Sequence, residues 1–153
     1  MLGKTYDSQT CSIARALEVI GERWSPLIVR DALFARATRY SDFQRSLGIA
    51  TNVLKARLDG LVEAGIMRRH PYSGQSELYE YVLTEKGRAL APVLVALGEW
   101  GDEWATDGEP PMIYTHAGCG AEIELQTTCA RCGRLDDPVE IESRFRDRTI
   151  GAP

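Results

Sequence analysis

His116, Cys119, Cys129 and Cys132 stand within seventeen positions, in the stretch HAGCGAEIELQTTCARCGRL. Three thiols and one imidazole form the ligand set suited to tetrahedral zinc. The arrangement is His-x2-Cys, a nine-residue spacer and Cys-x2-Cys, two short knuckles that make a zinc ribbon in miniature. The spacer is shorter than in common zinc fingers. Gly118, Gly120 and Gly133 let the backbone turn tightly beside the ligands. The same residues also read as a metal-free ribbon with reduced thiols, or as a Cys-x-x-Cys redox pair. The remaining cysteine, Cys11, opens the first predicted helix. A helix N-terminus favours a thiolate and raises its reactivity, which makes Cys11 a redox candidate. A small apolar residue at a helix end or dimer seam is the other reading of Cys11.

Other chemistry finds no support. The two histidines, His70 and His116, already fall in a predicted hairpin and in the cysteine cluster. No Gly-x-Ser-x-Gly elbow, phosphate-cradling glycine loop or nucleophile–base pair is present, so no catalytic residue is assigned and no enzyme is expected. No apolar run approaches the ~20 residues that span a membrane. The N-terminal MLGKTYDSQTC lacks the basic-then-apolar order of a signal peptide. A cytoplasmic location with reduced thiols is the expectation.

Positioning these residues requires one domain of ordinary size with a small appendage, within 153 residues. Charge divides the chain. The whole carries −4, but residues 36–70 carry +4 and residues 99–142 carry −9. A local basic field can draw a polyanion even when the total is acidic.

Ile13, Ala16, Leu17 and Ile20 follow helical spacing, predicting a helix over 12–20 that stops at Gly21. In RWSPLIVRDALF, Ser25 as N-cap and Pro26 at the first position predict the next, with Leu27, Ile28, Leu33 and Phe34 inward. RYSDFQRSLG predicts a short helix with Ser41 and Gln44 spaced for a capping box and Gly48 as its stop. ATNVLKARLDGLVEAG predicts a longer one, capped by Thr51, with Leu54, Leu58, Leu61 and Val62 on one face. Alternation at 78–82 after a polar turn at 73–76 predicts a β-hairpin. Helical spacing then returns from Thr84 to about Ala105, with Pro92 expected to kink the helix or split off its first turns. TDGEPPM is the predicted boundary between a domain at 10–105 and a module at 112–142. In that module AEIELQ and PVEIES alternate apolar and acidic residues, as half-exposed strands would, and the last eight or so residues are expected to fray.

The expected fold class is mainly α with a small β-hairpin wing (α+β): a winged helix-turn-helix plus a small C-terminal zinc-ribbon-like module. The helix at 51–64 presents Asn52, Lys55, Ala56 and Asp59 opposite its leucines. Such a helix can enter a major groove with Thr51, Asn52 and Lys55 leading. Arg36, Arg39, Ser41, Arg45 and Arg57 surround it, and Arg68, Arg69 and His70 open the wing, all suited to phosphates.

CSIARALEVIGERWSPLIVRDALF, RYSDFQRSLGIATNVLKARLDGLVEAGIMRR and YEYVLTEKGRALAPVLVALGEWG resemble the HxlR-type winged-helix transcriptional regulators of bacteria over roughly residues 10–105. The resemblance implies a homodimer whose terminal helices pack together and whose recognition helices enter successive grooves of a palindromic operator. Ile13, Leu17, Leu94, Leu97, Trp100 and Trp104 supply the apolar surface expected at that dimer interface. Some regulators of this type are similar in placing a redox-sensing Cys where Cys11 stands, so an oxidant or small-molecule effector is a candidate partner. The leading expectation is a DNA-binding regulator with a structural Zn2+ at His116, Cys119, Cys129 and Cys132. Two rivals are a metal-responsive repressor sensing through those four residues, and a winged-helix interaction module that binds protein and never reads DNA.

Overall fold

The computed structural model describes residues 5–7, 9, 11–72, 75–137 and 140–144, and the chain divides into Met1–Pro110 and Pro111–Pro153. The division falls inside TDGEPPM.

In the first unit, α1 (Ser12–Ile20) is capped by Cys11, whose sulfur accepts from the Ala14 N–H at 3.4 Å. Helix α2 (Ser25–Phe34) starts one residue earlier than expected, with Trp24 as N-cap and Pro26 in the first turn. Helix α3 (Tyr40–Leu47) likewise begins early. Its N-cap is Arg39, whose N–H donates to the Asp42 carboxylate at 3.2 Å, and this replaces the expected Ser41–Gln44 capping box. Gly48 ends it in the left-handed region, φ 61°. Helix α4 (Thr51–Glu63) has Ala50, not Thr51, as its N-cap. Strands β1 (Met67–Tyr72) and β2 (Gln75–Leu83) pair antiparallel, with Arg69 opposite Tyr81 and His70 opposite Glu80. Of the turn expected at 73–76, Ser73 and Gly74 lie outside the described residues. The last helical stretch is split, as its proline requires: α5 (Glu85–Arg88), then α6 (Ala91–Trp104) with Pro92 in its first turn, where the missing N–H costs no hydrogen bond.

The core is gathered from every element but α1 and α5. Ile28, Val29, Phe43, Leu54, Leu58, Leu61, Ile66 and Met67 are fully buried, with Tyr81, Leu83 and Leu94 beside them. Leucines 54, 58 and 61 recur on one side of α4, so burying them turns Asn52, Lys55 and Ala56 outward. Two ties fix the elements around α4. The Tyr40 hydroxyl donates to the Thr51 carbonyl at 2.7 Å, bracing the turn between α3 and α4. The Tyr81 N–H donates to the Thr38 carbonyl at 2.7 Å, anchoring the wing to the α2–α3 connection. Asp31, unremarked in the sequence, is buried. One carboxylate oxygen takes Arg30 Nε and Nη2 at 2.9 and 2.7 Å, and the other has no partner among the described residues.

The second unit is built differently. AEIELQ and PVEIES do not form the expected strands. In the first, only Glu122 bridges, to Thr115, and in the second Pro138 and Val139 lie outside the described residues. The regular pairing is instead β3 (Thr128–Cys129) with β4 (Gly133–Arg134). Short ladders form where the chain reverses, because alternation alone cannot hold a strand without a partner face. The tail expected to fray, from 146 on, also lies outside the described residues.

Candidate nucleic-acid interface

Helix α4 and the wing are joined through one carboxylate. Asp59 accepts from Lys55 Nζ at 2.7 Å, one turn back on α4, and from Arg69 Nη2 on β1. The Lys55 hydrogen bond does most to hold the Asp59 carboxyl below the usual carboxylate range, and Arg69 adds to it. The same hydrogen bond raises Lys55. The Arg69 guanidinium also lies 4.9 Å from the Tyr79 ring centroid. Behind it Tyr81 is pushed up to about 12, chiefly by burial, so it stays a neutral phenol at physiological pH. A second cation, at the N-cap of α3, packs on the wing in the same way. Arg39 sits 4.3 Å from the Tyr72 ring centroid and 3.6 Å from the Glu80 carboxylate. Two wing tyrosines, Tyr72 and Tyr79, therefore each hold a guanidinium group at the surface.

The remaining sequence candidates fall into three groups. Ser41, Thr51, Asn52, Arg68 and His70 are exposed around α3, α4 and β1, as is Arg45, which lies 3.8 Å from Asp42. Arg36 is exposed after α2 with φ 54°, a left-handed conformation uncommon for a side chain of its size. Arg57 is placed elsewhere. It points from the other side of α4 to Glu22 at 3.0 Å, with its Nε enclosed and without a partner among the described residues. A groove of about 520 Å³ between α1 and α4 runs past it, lined also by Leu17, Glu18, Ser25 and Gly60.

The expected dimer residues also separate. Ile13 is 73% exposed, Trp100 60% and Trp104 68%, and Leu17 and Leu97 are exposed too. Leu94 turns inward and belongs to the core, because helical spacing places it on the α6 face that meets α2. Cys11 is exposed, and the nearby Arg15 is already engaged by Glu18 at 2.8 Å and by the Tyr6 and Gln9 carbonyls. In the second unit, His116 Nδ1 lies 3.2 Å from the Cys119 sulfur. Cys129 and Cys132 form a separate hydrogen-bonded pair. No three His, Cys, Asp or Glu side chains among the described residues are grouped to hold a metal.

Sequence reasoning missed Tyr72 and Tyr79 as guanidinium platforms and Asp59 as a bridge. The Lys55–Asp59 half was legible from its i, i+4 spacing. The Arg69 half was not, since ten residues and a chain reversal separate the partners.

No helix of the described residues is long and apolar enough to cross a membrane. Residues 19–109 match the HxlR-like helix-turn-helix family. The chain is 44% identical over 123 residues to the uncharacterized HTH-type transcriptional regulator Rv3095 of Mycobacterium tuberculosis, covering 80% of this chain and 77% of that one. The crystal structure of PA1607, described as a candidate transcription factor, is similar with a TM-score of 0.79 and 41% identity, covering 92% of this chain and 99% of that one. That coverage extends past Pro110. The redox regulator HypR in its reduced form is similar with a TM-score of 0.55 and 30% identity, over 61% of this chain and 92% of that one. A winged helix with cations braced beside an exposed α4 face agrees with these likenesses, and the chain belongs to the HxlR-like helix-turn-helix family of transcriptional regulators.

Proposed function

We propose that the protein is a homodimeric regulator that binds a palindromic DNA operator, with α4 in the major groove and the wing along the backbone. The observation that carries this is the Lys55–Asp59–Arg69 bridge, which sets the outer face of α4 and a wing guanidinium side by side. Thr51, Asn52 and Lys55 would reach base edges. Arg36, Arg39, Arg45, Arg68, Arg69 and His70 would meet phosphates and fix the register. Arg57, tied to Glu22, is left out of that face. Exposed Ile13, Leu17, Leu97, Trp100 and Trp104 support a dimer through α1 and α6, since so much apolar surface is costly in water. Light scattering should give about twice the 17.0 kDa chain mass, and footprinting on a native promoter should show two protected half-sites about one helical turn apart. A monomer, or protection without two-fold symmetry, would overturn this reading.

The exposed thiol at the α1 N-cap, together with likeness to a redox regulator, supports Cys11 as the input. Oxidation by diamide or alkylation by a quinone there would disturb both the helix cap and the proposed seam. Cys11→Ser should then bind the operator normally and no longer release it on diamide treatment. Equal release in both proteins would remove Cys11 from the mechanism.

A further inference from the structure

The 111–153 unit has no buried side chain among its described residues, and Met112, Ile113, Ile123, Leu125 and Ile141 are exposed. A segment this short, without a core, needs a covalent or metal staple to hold a defined fold. What it has instead is two tight turns, each of which brings one pair of candidate ligands together. In the first, the Cys119 and Gly120 N–H groups both donate to the His116 carbonyl, at 3.2 and 2.7 Å, and the turn closes on the Thr115–Glu122 bridge. In the second, the Arg131 and Cys132 N–H groups are directed at the Cys129 sulfur, and the turn closes on the β3–β4 pair. Each turn ends with a cysteine followed by a glycine at positive φ, 74° at Gly120 and 86° at Gly133. Each places its two candidate ligands together: His116 Nδ1 beside Cys119 Sγ, and Cys129 beside Cys132.

We propose that these two turns are the halves of one zinc site, with His116, Cys119, Cys129 and Cys132 as its four ligands. A ligand-x2-ligand-Gly turn brings two donors to one side of a tight loop, and backbone N–H groups aimed at a sulfur offset the negative charge of a bound thiolate. One nitrogen and three sulfurs select zinc over the oxygen-seeking cations. The two pairs are separate in the described structure, so four-fold closure draws the hairpins onto one another and supplies the contact that the missing core does not. Residues 111–142 carry −4, which does not favour direct contact of this stretch with a polyanion, so the ion is read as structural. Zinc binding releases up to three thiol protons per ion and transfers no electrons.

The test uses the full chain, purified anaerobically with reductant, stripped of metal and titrated with Co2+ and then Zn2+. The expected result is one Co2+ per chain, with the intense visible bands of a tetrahedral ion and a thiolate charge-transfer band, all displaced by Zn2+. Cys119→Ser and Cys132→Ser should each lower Co2+ affinity at least tenfold, while Cys11→Ser leaves it unchanged. Hydrogen exchange should slow across 112–137 on adding Zn2+ and stay the same across α2 to α6. A weak octahedral spectrum, an unaltered affinity in Cys119→Ser, or wild-type exchange indifferent to Zn2+ would each overturn the proposal. None of these measurements involves DNA, so they stand or fall apart from the operator reading.

Discussion

The two units of this chain use opposite means of holding a shape. Residues 12–104 bury a continuous apolar core running through α2, α3, α4, α6 and both wing strands. Residues 111–144 have short hairpins and exposed isoleucines, with no described side chain buried. Apolar burial is non-directional and accumulates with the number of packed elements, so six elements sharing one core gain a stabilisation that two short hairpins do not. The first unit can therefore leave cations and aromatics at its surface for binding.

The contrast can be broken most forcefully in the core. Leu58→Ala should destabilise the first unit by about 2–5 kcal/mol, since a fully buried leucine leaves a cavity. Ile113→Ala in the second unit should change stability by less than about 0.5 kcal/mol, because that side chain is exposed. Chemical denaturation of both variants measures the difference, and equal losses would mean that the second unit has a core of its own.

Next comes the binding surface. Lys55→Ala and Arg69→Ala should each weaken operator binding by roughly tenfold and lower the slope of affinity against salt by about 1. Thermal stability should stay within about 0.5 kcal/mol, because both side chains are largely exposed. Binding like that of the unaltered protein in both variants would displace α4 and the wing from the interface.

A smaller effect separates the units again. Removing zinc with a chelator should alter operator affinity by less than tenfold, about 1.4 kcal/mol, since the winged helix has its own core. Titration of the operator with and without chelator decides this, and a larger change would make the protein a metal-responsive repressor.

The smallest expected effect is the acid response of the α4–wing bridge. The Asp59 carboxyl lies below its ordinary value when folded, so its contribution is present above the ordinary carboxylate range and fades as pH falls through the lowered value. Amide exchange in β1 and β2 should therefore show no pH-linked loosening near neutrality and begin to show it only below the ordinary carboxylate range. Asp59→Asn should remove that step, and its persistence would assign it to another carboxylate.

How much was legible follows from range. Elements α1, α4 and the wing could be read because periodicity and stop signals are local, and Pro92 announced the break before α6. Helix starts were misplaced by one residue at Ser25 and Thr51 and by two at Ser41, where a serine or threonine offered a cap that an earlier residue took instead. The surface list was less secure. Arg57 and Lys55 look alike in the sequence, yet helical geometry sends one to Glu22 and the other to Asp59.

By itself the sequence determined the order of elements, the basic middle and acidic end, and the family. Each depends on spacing or composition within a few turns of chain. Tertiary structure alone decided that Asp59 bridges α4 to Arg69, that Tyr72 and Tyr79 support guanidinium groups, and that Leu94 packs inward while Trp100 and Trp104 stay exposed. Those outcomes depend on which faces meet when distant segments bury their apolar sides together, and periodicity gives the face but not its partner.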